Sequence, residues 1–306
     1  MATRNLYDTK SVAATLLYAV QTGNKSLLAT ATQELIASDE STMARKLLTI
    51  GWILSPPNPS RRCYDAWMSN DTLALLSAVS TIPAYELPQQ EPPPLPPTST
   101  SIAIPKWPPN FTPAHWSTAQ KATFERAYTR SKKNHEHAAW LLSQLEMSKV
   151  TAILKHTGIN TNLLEMPELK YRSLLHLFNA LSVSGTVYPS VKFQETSGRS
   201  FKISTAACDI WNVPPHPKIQ LLGIPLHVLE PTATQYWKTL VQKYNISSSK
   251  DAFKAVSDDD LEAFYTIAFP CDIPDEWSVA ERAKSHPQWN YTPHVNPYFR
   301  IAFSNP

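Results

Sequence analysis

Glycine is scarce in this chain, six in 306 residues, while proline reaches 27. Few glycines leave few positions free to take positive φ, which speaks against glycine-rich loops that cradle phosphates, and no G-x-x-x-x-G-K-[ST] occurs. Cysteine is scarce too. Cys63, Cys208 and Cys271 are odd in number and far apart, which argues against a disulfide framework and for a reducing compartment. There is no G-x-S-x-G elbow, and Cys208 and Cys271 have no local signature that separates them from buried small hydrophobes. Long apolar runs are also missing: MATRNLYDTKSVAATLLYAV spaces its apolar residues instead of stringing them together. The expectation is a soluble, intracellular protein of cytoplasm or nucleus with no membrane segment. The Asn-x-Ser/Thr triplets at Asn70, Asn110, Asn245 and Asn290 are then chance matches.

What is present is a globular composition, 42% hydrophobic and 17% charged, on a chain long enough for two domains. The net charge of +3 is small, but residues 111–200 carry eleven Lys and Arg against six Asp and Glu. Any polyanion contact is expected in that basic third.

Residues 8–54 read as three short helices with their punctuation. Asp8 caps a helix bearing Val12, Leu16, Leu17 and Val20, and Gly23 stops it. Asn24 caps the next, with Leu27, Leu28, Ala31, Leu35 and Ile36 on one face, and Ser38 or Asp39 opens the third, which runs into Pro56-Pro57. A fourth helix, Asp71 to Ser80, closes the stack. The stretch SVAATLLYAVQTGNKSLLATATQELIASDESTMARKLLTIGWIL resembles the helical collar domain of clamp-loader-like MgsA/WRNIP ATPases, with a Gly-Asn turn between the first two helices and Ala-Arg-Lys-Leu-Leu in the third. The resemblance implies a helical stack only: the ATPase core is absent and its activity does not carry over.

Residues 83–113 form a proline-rich linker, with Pro92-Pro-Pro-Leu-Pro-Pro97 expected as extended polyproline II. Pro93, Leu95 and Pro96 are candidate contacts for an aromatic groove on a partner. A mainly helical second domain, 114–287, opens at the capping box Ser117-Thr-Ala-Gln120 with a long helix carrying Phe124, Tyr128, His135, Ala138, Ala139, Leu142 and Leu145 and ending near Gly158. A helix over 167–181 and a β-hairpin over 187–203 follow in the order of a winged helix, which makes Lys170, Arg172, Lys192 and Arg199 candidate nucleic-acid contacts. The competing expectation is an ordinary α+β core packed through Leu174, Leu175, Leu177 and Phe178. A helix over 232–244 follows, and residues 288–306 form an extended tail whose Trp289, Tyr298 and Phe299 are candidate anchors on a neighbour.

Two chemical readings are weak on spacing alone. His135 and His137 stand two apart, so on a helix they face different directions and cannot share one ion. The acidic stretch VSDDDLEAFYTIAFPCDIPDEW holds seven carboxylates, placed where helix starts want them: Ser257 and Asp260 have capping-box spacing, and Pro274 suits a first helical position. The fold class expected is mainly α: an N-terminal helical hairpin stack over 1–82, the linker, and a helix-dominated α+β domain with one hairpin. No catalytic, cofactor or metal residue is assigned. The function expected is that of a non-enzymatic structural or assembly protein within a larger complex, with other protein subunits as partners, on a composition that suits a viral, virion-borne component. The alternative is a nucleic-acid-associated replication or transcription accessory.

Overall fold

The computed structural model describes residues 3–5, 7–57, 61–87, 117–119, 122, 135–156, 160–164, 166, 169–181, 203, 206–207, 234–249 and 252–268. Within them the chain is mainly helical. It divides into two compact units: residues 1–48 with 192–302, and residues 49–191 with 303–306. The first unit is therefore drawn from both ends of the chain. The division falls inside a helix, whereas composition pointed to the proline-rich segment.

In the first unit, α1 (Thr9–Thr22) packs against α2 (Lys25–Ala37), and α3 (Ser41–Leu54) begins. Asp8 caps α1 by accepting from the Ser11 N–H, and Asn24 caps α2 by accepting from the Leu27 N–H. Val12, Leu16, Leu17 and Val20 are buried as the spacing requires, but so is most of the rest of α1. Its small side chains allow this because the polar ones are bonded locally: the Thr15 hydroxyl donates to the Ser11 carbonyl at 2.8 Å and the Ser11 hydroxyl to Asp8 at 3.2 Å.

Helix ends explain how the chain manages with so few glycines. Gly23 is left-handed with φ 65°, and the Asn24 N–H reaches back to the Ala19 carbonyl while Gly23 N–H meets Val20, a Schellman ending. The same ending follows α2 with Asp39 at φ 58°, where Glu40 N–H bonds Leu35 and Asp39 N–H bonds Ile36. Asn70 and Asn245 take the position after two later helices, at φ 59° and 48°. Short polar side chains tolerate this region better than other non-glycine residues. Ser38, expected as an opener of α3, instead closes α2.

In the second unit, α4 (Arg62–Met68) pairs with α5 (Thr72–Val79). Asp71 caps α5 by accepting from the Leu73 and Ala74 N–H groups, as its spacing predicts. The long helix expected past Ser148 is broken: α6 (His135–Ser143) ends in a turn at Gln144 and Leu145, and α7 (Met147–His156) starts anew. A 3-10 turn, Asn162–Leu164, precedes α8 (Lys170–Leu181), which packs against α6, α4 and that turn. No residue of α8 is exposed. Leu174, Leu175, Leu177 and Phe178 are core, as the ordinary-core reading expects.

The described residues of the first unit close with α9 (Gln235–Lys243), a short antiparallel pair, β1 (Ser247–Ser249) with β2 (Ala252–Lys254), and α10 (Asp258–Ala268). That pair was not expected. The hairpin expected over 187–203 lies outside the described residues apart from Ile203, as do Lys192, Arg199, Pro93, Leu95, Pro96, Trp289, Tyr298, Phe299 and the acidic residues beyond Phe269.

Candidate functional site

Among the described residues, buried polar side chains gather most densely at two places, one in each unit, and both are ends of helices. In the second unit the place is the C-terminal turn of α3. The last carbonyls of a helix have no partner within it, and here they draw donors from distant segments. The Tyr85 hydroxyl donates to the Gly51 carbonyl at 2.8 Å, Arg172 Nη1 donates to Leu54 at 3.3 Å, and the Ser55 hydroxyl donates to Trp52 at 2.6 Å. The guanidinium also sits at the negative end of the helix dipole, where a cation is favoured.

His176 completes the cluster. Its Nε2 lies 3.1 Å from the Ser55 carbonyl, and because a carbonyl only accepts, Nε2 carries the proton. Nδ1 is then the bare nitrogen, and it is buried with no hydrogen-bond partner among the described residues. The ring meets Trp52 edge-on with centroids 5.5 Å apart. Burial pulls the imidazole pKa down to about 4; the carbonyls of Ser55 and Ile53 resist the fall and Arg172 adds to it. Burial likewise raises the Tyr85 phenol, with Arg172 opposing, and pushes the Cys63 thiol up to about 12. All three groups are held neutral near pH 7.

In the first unit the place is the corner between α2 and α3. The Glu34 carboxylate, buried in α2, accepts from the Asn5 N–H at 3.1 Å and from Asn5 Nδ2 at 2.6 Å. The Ser38 hydroxyl accepts from Arg4 N–H at 2.8 Å and donates to the Glu34 carbonyl. From the other end of the chain, the first amides of α9 arrive at the same corner: Gln235 N–H donates to Glu40 Oε1 and Tyr236 N–H to the Ser38 carbonyl, each at 3.3 Å. Trp237, wholly buried, donates its indole N–H to the Thr3 carbonyl at 2.9 Å. The Arg4 guanidinium lies 5.6 Å from the Tyr236 ring centre.

The two candidate nucleic-acid contacts that fall among the described residues are engaged internally. Lys170 Nζ donates to the Leu145 carbonyl at 2.7 Å, and burial lowers its pKa. Arg172 reaches the end of α3. Two residues apart on a helix, they point different ways and do not form one phosphate-binding patch. The pair that does share a face is Arg172 with His176, four apart, and that spacing could have located the cluster from sequence.

At α10 the acidic residues act as helix-start groups. Ser257 Oγ accepts from Asp260 N–H at 3.1 Å and donates to the Asp260 carboxylate at 2.8 Å, while Asp258 and Asp259 face solvent in the first turn. Among the described residues no group of three or more His, Cys, Asp or Glu is placed to hold a metal, and no helix is long and apolar enough to cross a membrane.

Known proteins offer no guide. No family model, curated protein or solved structure matches this chain.

Proposed function

We propose that the chain is a non-enzymatic structural or assembly protein that works through protein–protein contacts. The observation that supports this best is how its polar side chains are used. Tyr85, Lys170, Arg172, His176 and Trp237 all direct their donors at main-chain carbonyls, where they fasten one segment to another. A side chain so engaged rigidifies a scaffold and is withdrawn from substrate chemistry. The winged-helix alternative needs a helix that offers polar groups to a groove, and α8 has no exposed residue.

Size-exclusion chromatography with light scattering, run with and without nucleic acid at several salt concentrations, tests the reading. The expected result is a mass that rises above 34.3 kDa with protein concentration and does not respond to nucleic acid. Co-elution with DNA or RNA that weakens steeply as salt rises would overturn it and restore the accessory-factor alternative.

A further inference from the structure

We propose that α9 is a conditional helix, folded only while docked on the α2–α3 corner, and that it opens from its N-terminal end as a clasp locked by residues 3–5. A nine-residue helix is marginal in water without outside support. Its two ends are served differently. The C-terminal end is closed locally, by Asn245 N–H on the Gln242 carbonyl and Ile246 N–H on Val241. The N-terminal end borrows its partners: Glu40, 195 residues away in sequence, answers the Gln235 amide, and Ser38 answers Tyr236. Thr234, in the N-cap position, makes no side-chain capping bond.

Once α9 leaves the corner it loses both those acceptors and the packing that a nine-residue helix needs, so undocking and unwinding are one event. The lock is the segment 3–5. It is fixed to α2 through Ser38 and Glu34, and to α9 through the Thr3 carbonyl on the Trp237 indole and Arg4 over Tyr236. With the clasp closed Trp237 is shielded from solvent; open, it and Tyr236 become an aromatic pair free for another surface. This inference stands whether or not the chain assembles with partners.

Hydrogen exchange read by mass spectrometry on the full chain tests it. In the wild type under low urea, amides of 238–243 are expected to exchange through a smaller opening than those of α1. Glu40→Ala removes the borrowed cap and is expected to speed exchange of 238–243 roughly 2- to 30-fold, the range that a lost cap of about 0.5–2 kcal/mol converts to, with α1 unchanged. Glu40→Gln keeps an acceptor and drops a charge that burial already disfavours, so it is expected to stay near the wild type. Asn24→Ala, which removes the cap of α2, is expected to affect α2 and leave 238–243 as they were. One shared exchange rate for α9 and α1 in the wild type, or no effect of Glu40→Ala on 238–243, would overturn the proposal.

Discussion

Acidification should unfasten the end of α3 through His176, and the size of the effect follows from its burial. The imidazole has an ordinary pKa of 6.5 in the unfolded chain and about 4 in the fold, where burial disfavours the charged ring. As pH falls through 6.5 the unfolded state takes up a proton that the folded state refuses, so stability is lost on the acid side and retained above pH 7. The gap of about 2.5 pH units corresponds to a loss of about 2 kcal/mol at pH 5, levelling at about 3 kcal/mol below pH 4. The ring is fully enclosed, so solvent screening does not dilute this. The assay is urea unfolding between pH 7.5 and 4.5 on the wild type and on His176→Gln, which keeps an N–H for the Ser55 carbonyl but cannot titrate. The variant should be less stable at neutral pH, by about 1–3 kcal/mol, because it gives up the contact with Trp52. Its stability should also fall less on acidification, and the difference between the two curves isolates His176 from the other histidines. Parallel curves would refute the reasoning, since they would mean that the ring is free to charge in the folded state.

Two smaller perturbations test the other fastenings. Trp237→Phe keeps an aromatic ring but leaves the Thr3 carbonyl without its indole donor, and should cost about 1–3 kcal/mol in urea unfolding; a change within about 0.5 kcal/mol would show that the bond contributes nothing. Asn70→Gly places the residue with no left-handed penalty at φ 59° and should raise the denaturation midpoint by up to about 1 kcal/mol in stability, whereas a fall would mean that the asparagine side chain matters more than its backbone.

Much of the helical stack was legible because its signals are local. Asp8, Gly23, Asn24, Asp71 and Ser257 each act within a few residues of themselves, and each sits where its spacing predicts. Polar content did not disclose how far α1 and α8 are buried. In α1, Thr and Ser hydroxyls bond their own preceding carbonyls, so a helix with an apparently polar face is buried nearly all round. In α8, Lys170 and Arg172 looked like surface cations, yet each finds a carbonyl inside the second unit. The break at Gln144 and Leu145 escaped notice because neither residue is a helix breaker, and apolar periodicity continued on both sides of it.

The fastenings escaped for one shared reason. Tyr85 is 34 residues from its carbonyl, Arg172 118, Glu40 195 and Trp237 234. A hydroxyl, guanidinium or indole that serves a distant helix end leaves no trace in spacing, because its partner is a backbone group that every residue possesses. Carboxylates show the contrast within one chain. Asp8 and Asp71 cap the helices they precede and could be read directly; Glu40 directly precedes α3 and answers an amide of α9. An acidic residue stands before a helix in each case, and only the return of the chain from residue 234 gives the Glu40 carboxylate a different helix to serve. Tertiary caps of this kind couple the stability of the receiving helix to docking, which is why Glu40 offers a more selective handle on α9 than any residue within that helix.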